Sequence, residues 1–385
     1  MPFNRKPLKA YIRGAYGPGN LGDDVLLEVC INILRRHFKE ENISVGVKHP
    51  NNIGYLNKYK CNYVPISAPI KTDFLFFGGG GQFFEFNGNK TKKPFIQKYL
   101  EVRKQGLSQF EILKIFALRA LKKSRPLYKR SAAVCLGVGP FETSSPAQIE
   151  QAISPLVNCD FRSVRDSVSL EILEKLLHTS ALYTDPTFLL DHWNTETSKP
   201  VREKSNSIGV ILRDWKLNQH GENVLKNTIE AARQLASRGY TVKLISLYHE
   251  HDRSIIDKVP DLEWLVWDPQ KCTPGTFIKE LQQEFDILVS TRAHGVLLPA
   301  QVGLPSVVVG IEPKLKNIHN LLPQGTLYSD GLNPDDIIEK TLIGLSNQNE
   351  LSQQLLNDVK KQTTVANIFL KDINSWITKS VLELQ

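Results

Sequence analysis

Residues 286–319 read DILVSTRAHGVLLPAQVGLPSVVVGIEPKLKNIH. Residues 286–290 form a short run that is apolar after its first position, residues 297–302 carry a helical pattern, and residues 306–311 are a second apolar run. This spacing predicts a strand-helix-strand unit. In open sheets built from such units, ligands bind beyond the carboxyl ends of the strands. Arg292 and His294 follow the first strand, and Glu312 and Lys314 follow the second. Two cations and an imidazole are therefore expected on one sheet edge, a set suited to a small, multiply charged anion.

The same alternation extends outward in both directions. Residues 8–12 predict a strand that runs into Arg13-Gly14-Ala15-Tyr16-Gly17-Pro18-Gly19-Asn20-Leu21-Gly22-Asp23-Asp24, and a helix follows with Val25, Leu26, Val29, Ile33 and Leu34 apolar. Gly17, Gly19 and Gly22 match G-x-G-x-x-G, the form of an anion-binding loop. Asp23 and Asp24 equally suit the start of a helix, so a tight structural turn stands beside that reading. Residues 73–77 predict a buried strand ending in Gly78, Gly79, Gly80 and Gly81, bare backbone expected to lie against a ligand in preference to a neighbouring loop. Ser108-Gln109-Phe110-Glu111 has the form of a capping box. Strands are expected at 43–47, 132–136, 161–164 and 182–184, and helices at 147–157 and 165–177.

A second series begins with a strand at 207–212 that delivers Arg213, Asp214 and Trp215 to its end. A helix at 222–237 closed by Gly239, strands at 241–247 and 264–267, and a helix at 276–284 lead back to the opening stretch. After Pro334 the pattern is helical and polar. The expectation is an α/β protein of two doubly wound, Rossmann-like domains facing a cleft. Their boundaries are placed at 1–195, with a basic insert at 90–130, and at 205–345, with a helical segment at 346–385; the polar stretch 191–207 serves as linker.

The 385 residues suffice for two domains, and 41% hydrophobic with 23% charged residues is ordinary for a globular chain. Cys30, Cys61, Cys135, Cys159 and Cys272 show no paired spacing, so neither a disulfide framework nor a zinc site is expected. No signal-peptide pattern or membrane-length apolar run is present, which predicts a cytoplasmic protein. The net charge is +8, but residues 90–130 hold thirteen lysines and arginines against two glutamates, +11, leaving the remainder at −3. A locally basic face fits this better than a nucleic-acid binder, and contact with an anionic membrane at its inner face is one expectation. A solvated helix surface is the plainer one.

In order and spacing, Gly19-Asn20-Leu21-Gly22-Asp23-Asp24, Gly78-Gly79-Gly80, Gly137-Val138-Gly139-Pro140, Ser163-Val164-Arg165-Asp166, Asp185-Pro186, Leu212-Arg213, Arg292-Ala293-His294-Gly295 and Glu312-Pro313-Lys314 resemble the polysaccharide pyruvyl transferase family. The resemblance implies a glycosyltransferase-B-like fold, with a donor side in the C-terminal domain and an acceptor side in the N-terminal one. It also implies transfer of pyruvate from phosphoenolpyruvate onto two hydroxyls of a sugar, free or lipid-linked, to form a cyclic ketal of a cell-surface polysaccharide. No cofactor and no metal are expected; phosphoenolpyruvate enters as donor substrate.

Phosphoenolpyruvate carries a phosphate and a carboxylate on one small skeleton, which calls for several fixed cations. Arg165, Arg213, Arg292 and Lys314 are the candidates. His294 is the histidine of the cluster and the candidate proton donor to the methylene carbon, with Arg165 and Asp166 beside it as catalytic candidates. Asn20, Asp23, Gly79 and Gly80 complete the expected substrate-binding set, and Asp185 could orient the cations or act as a base. Two other functions remain open: a nucleotide-sugar glycosyltransferase of the same fold, and a non-catalytic protein of polysaccharide assembly.

Overall fold

A computed structural model of the chain describes residues 6–17, 19–83, 103, 108–120, 126–139, 141, 144–177, 180–194, 206–215 and 218–385. The chain divides into two compact units. One comprises residues 1–18, 23–186 and 365–385, and the other residues 19–22 and 187–364.

The first unit is built on a parallel sheet from β1 (Ala10–Arg13), β2 (Ile43–Val47), β3 (Asn62–Pro65), β4 (Phe74–Phe77), β5 (Gly80–Phe83), β6 (Arg130–Val138), β7 (Phe161–Val164) and β8 (Ala181–Leu182). Among the described residues the order is β3-β2-β1-β4-β6-β7-β8, with β5 pairing β6. The order reverses between β1 and β4, where Ala10 to Arg13 register with Phe74 to Phe77. Phe74, Leu75, Phe76 and Phe77 are all buried, as both faces of a central parallel strand require. The helices are α1 (Leu21–Leu34), α2 (Gln109–Ala120), α3 (Pro146–Val157) and α4 (Ser167–Leu177). Ser108 and Glu111 form the expected capping box at α2: the Ser108 N–H donates to Glu111 Oε2 at 2.9 Å and the Glu111 N–H to Ser108 Oγ at 3.4 Å. Most of the basic stretch 90–130 lies outside the described residues, as does 195–205 of the expected linker.

The second unit follows the same plan with β9 (Ser207–Ile211), β10 (Thr241–Ser246), β11 (Glu263–Val266), β12 (Ile287–Ser290), β13 (Ser306–Val309) and β14 (Thr326–Ser329). Its order is β11-β10-β9-β12-β13-β14, all parallel, with the reversal between β9 and β12. That is the doubly wound order of dinucleotide-binding domains, whose ligands sit at the reversal. The helices are α5 (Gln219–Ser237), α6 (His249–Ile256), α7 (Pro274–Glu284), α8 (His294–Ala300), α9 (Pro313–Leu321), α10 (Pro334–Ser346) and α11 (Gln348–Leu384). Gly239, at φ +91°, ends α5, and its N–H donates to the Ala236 carbonyl at 3.0 Å. No described helix is long and apolar enough to cross a membrane.

Residues 365–385, the last turns of α11, belong to the first unit. Trp376 meets Phe74 and Phe76 edge-on, with centroids 6.1 Å apart in both cases, and Phe369 packs against Tyr183 at 5.5 Å. The Tyr183 hydroxyl donates to Asp372 Oδ2 at 2.8 Å. The chain end is therefore core for the first sheet. Trp376→Ala should lower the unfolding free energy of that unit by about 2–4 kcal/mol in denaturant titration, since it strips an aromatic face from the central strand. A loss below about 0.5 kcal/mol, the scale of a neutral surface substitution, would show that the packing carries no weight.

Candidate active site

Three strand ends of the second unit bear the candidate side chains. Arg213 follows β9, Arg292 and His294 follow β12, and Lys314 sits in the first turn of α9 after β13. The expected gathering of Arg292, His294, Glu312 and Lys314 on one sheet edge is thus what β12 and β13, paired at Leu288↔Ser306, produce. Arg213 joins them because β9 pairs with β12 at Ile211↔Ser290. Sequence periodicity places the helix start at 297, whereas α8 begins at His294, so the imidazole occupies the first helical position.

The Arg292 side chain is held at two points. Its Nε donates to the Leu212 carbonyl at 2.9 Å, and its Nη2 pairs with Asp252 of α6. The Ser246 hydroxyl, at the end of β10, donates to the other Asp252 oxygen at 2.9 Å. Asp252 is fully buried. Burial alone would push its carboxyl up, but the His251 imidazole 3.9 Å away, the Arg292 charge and the Ser246 hydroxyl outweigh it and hold it below the ordinary carboxylate value.

Arg213 is braced differently. Its Nη1 pairs with Glu312, which sits at the N-cap position of α9 without making a capping hydrogen bond. Its guanidinium carbon lies 4.5 Å over the Trp215 ring. Trp215 in turn fills the space above Gly221, where an added Cβ would come within 1.8 Å of the indole. Each guanidinium is therefore matched by a carboxylate of the same unit. Part of the cationic character that the sequence suggests is thereby spent on holding the strand ends in place.

Residues 19–22, for which an anion loop and a tight structural turn both stand as readings, are held by backbone contacts within the second unit. Leu21 donates its N–H to the Leu247 carbonyl at 3.0 Å, and Asn20 forms an antiparallel bridge with Tyr248. A Cβ on Gly22 would stand 2.0 Å from His294 Nδ1. Gly22 is thus bare so that the His294 imidazole can lie on its backbone.

In the first unit, Arg165 follows β7 and is 5% exposed, and its Nη1 pairs with the equally buried Asp185. Burial disfavours its charge, yet Asp185, Asp166 and Asp23 together raise its pKa further. Gly137 gives it room, with an added Cβ only 3.0 Å from Nη2. The β6–β7 register shifts between Ala133 and Leu136, where Cys135 adopts φ +43°. Asp166 Oδ1 accepts the Ser169 N–H at 2.8 Å, which makes Asp166 the cap of α4. Gly78 and Gly79 lie against protein: the Tyr16 hydroxyl covers the first, and Leu26 and Pro186 cover the second. Gly80, at φ +101°, has Asp23 Oδ1 3.1 Å from its Cβ position. At Gly78 and Gly79 the bare backbone makes room for side chains of the protein itself. Burial pushes the Tyr16 phenol well above its ordinary value and the Cys30 thiol up to about 11, so both pack as neutral groups at neutral pH.

Asp252 and Ser246 form the part of the site that sequence reading misses. Asp252 lies in α6, a helix of eight residues without a clear period, so no pattern marked it. Asp252→Asn should destabilise the protein by about 3–5 kcal/mol at neutral pH, because it leaves the Arg292 charge without its buried partner. The folded carboxyl lies below its unfolded value of about 3.9, so its contribution is complete above that pH and fades as pH falls through the folded value. Stability measured against pH should accordingly lose part of its acid limb in Asp252→Asn. An unchanged acid limb would rule out this role for the pair.

Several solved structures share the course of the chain at low sequence identity. HepE of Anabaena in complex with UDP shares 10% identity over 97% of this chain and 100% of that one, with a TM-score of 0.53. A glycosyltransferase from Rickettsia africae shares 10% over 98% and 99%, at 0.54. Sucrose-phosphate synthase from Thermosynechococcus elongatus shares 9% over 99% and 100%, at 0.52. These likenesses, with the two Rossmann-like units, give the fold as glycosyltransferase-B-like. No curated protein matches the chain at a significant level. The family described as polysaccharide pyruvyl transferase matches residues 20–313, well over half of the sequence, and the protein belongs to that family.

Proposed function

We propose that the protein transfers pyruvate from phosphoenolpyruvate to two hydroxyls of a sugar in a cell-surface polysaccharide or its lipid-linked precursor, forming a cyclic ketal. The observation that supports this best is the meeting of Arg213, His294 and Lys314 on the ends of β9, β12 and β13, beside the reversal of strand order. Lys314 and the Arg213 guanidinium suit the donor's phosphate and carboxylate. Arg292, held by Asp252 and the Leu212 carbonyl, keeps the turn before His294 in place.

His294 delivers a proton to the methylene carbon of the donor, which leaves the adjacent carbon open to the first sugar hydroxyl. Phosphate departs and the second hydroxyl closes the ring; of the two protons that the attacking oxygens give up, one restores His294 and the other leaves with the phosphate. Gly22 contributes by letting the imidazole sit where its tilt is fixed. Arg165 and Asp166 act in this scheme as supports of the first unit, since one is buried against Asp185 and the other caps α4. Asn20, Asp23, Gly79 and Gly80 likewise shape the backbone around the glycine loops.

His294→Ala should lower turnover at least a hundredfold while leaving donor affinity within about tenfold, because acid catalysis contributes far more to rate than to binding. Wild-type turnover in this variant would remove His294 from the chemistry. Lys314→Ala and Arg213→Ala should each weaken phosphoenolpyruvate binding by about 1.5–3 kcal/mol in titration calorimetry, the worth of a charge-assisted contact. Unchanged affinity in both, or tight binding of UDP with none of phosphoenolpyruvate, would overturn the donor assignment.

A further inference from the structure

At the opposite edge of the first sheet, where the strands begin, lies a cavity of about 500 Å³ lined by Lys6, Pro7, Lys9, Lys71, Thr72, Asp73, Leu127, Tyr128 and Lys129. Four lysines face it against one carboxylate. Lys9 precedes β1, Asp73 precedes β4 and Lys129 precedes β6, so the cavity is distinct from any site at the carboxyl ends of the strands. We propose that this cavity holds the phosphate of an anionic phospholipid headgroup and seats the protein on a membrane surface.

The cavity has a fixed frame. Asp73 Oδ2 accepts the Lys9 N–H at 2.9 Å, and Asp73 Oδ1 pairs with Lys129 Nζ at 2.8 Å. The Asp73 carbonyl accepts the N–H groups of Lys129 and Arg130, both at 3.0 Å. Residues 70–72 and Leu127 are tied by a parallel bridge and by two backbone bonds of 2.9 Å. The lone carboxylate is thereby satisfied by a backbone amide and one lysine. Lys6, Lys9 and Lys71 are exposed side chains on an ordered rim.

Two features favour a lipid over free phosphate. A site for a free phosphate commonly adds a guanidinium fork or a helix N-terminus to its lysines, and neither lines this cavity. Its rim carries Leu127, 66% exposed, beside Tyr128, 37% exposed. An exposed leucine next to an amphipathic phenol and long lysine stems suits the boundary between headgroups and acyl chains. Lysine, a hydrated point charge on a flexible stem, suits a diffuse layer of headgroups better than one fixed anion.

The test is co-sedimentation of the full chain with vesicles of phosphatidylcholine alone or with phosphatidylglycerol added. Wild type should pellet with the anionic vesicles, and salt of about 1 M, which shortens the screening length to about 3 Å, should release it. A Lys6→Gln, Lys9→Gln, Lys71→Gln variant keeps Lys129 for Asp73 and so keeps the frame. At about fivefold per lysine near a charged surface, it should partition about a hundredfold more weakly. A control of equal charge loss, Lys226→Gln, Lys360→Gln, Lys371→Gln, should pellet like wild type. Equal pelleting of wild type with both vesicle types, or equal losses in the two variants, would overturn the proposal. Release by millimolar inorganic phosphate at constant ionic strength would reassign the cavity to the free anion and overturn the lipid assignment.

Discussion

The Arg292 guanidinium holds together the edge of the second sheet on which the candidate chemistry stands. Its Nε reaches the carbonyl that ends β9 and its Nη2 reaches Asp252 in the helix after β10, so one side chain of the β12 turn ties three strand ends. The Arg213–Glu312 pair extends the bracing to the end of β13. Buried or half-buried ion pairs add little net stability, because desolvation offsets most of the attraction. What they supply here is position. A guanidinium fork fixes both distance and plane, and a site that must recognise a small anion needs its donors fixed before the ligand arrives.

Bare glycine backbone serves the same end. Gly22 receives His294, Gly137 receives Arg165, Gly221 receives Trp215 and Gly78 receives Tyr16. At Gly22, Gly221 and Gly78 a single methyl group would collide with the side chain that the position seats, and at Gly137 it would crowd the Arg165 guanidinium. This accounts for glycines clustering around chemistry-bearing residues in a protein where the Gly22, Gly78 and Gly79 positions are filled by the protein itself. It also explains why a G-x-G-x-x-G match gave an anion loop as one reading: glycine marks close approach, and the sequence does not say of what.

The fold class was legible because buried parallel strands are short apolar runs and the intervening helices are amphipathic. Residues 43–47 and 161–164 were placed to the residue, and Gly239 closes α5 as its chemistry requires. The short strands β3, β5 and β14 were not seen, since four-residue elements with mixed burial carry little periodic signal. The return of α11 to the first sheet was equally hidden, because a polar helix looks the same wherever its Trp376 packs. In the site, strand-end position exposed Arg213, Arg292, His294 and Lys314. The pairings with carboxylates stayed hidden, as Asp252 is 40 residues from Arg292 and Glu312, though named on that edge, is 99 from Arg213. Asp166 stands at the expected start of the 165–177 helix as well as among the catalytic candidates, and its spacing to Ser169 is that of a helix cap.

The central claim is that the edge formed by β9, β12 and β13 handles a phosphate-bearing three-carbon donor. The most direct measurement is to supply phosphoenolpyruvate with a panel of sugar acceptors, free and lipid-linked, and to follow phosphate release together with the mass of the acceptor. The account predicts phosphate released only when an acceptor with two suitably placed hydroxyls is present, in equal amount to a pyruvate ketal formed on it. Glycosyl transfer from a nucleotide sugar, with no phosphate released from phosphoenolpyruvate for any acceptor, would contradict it.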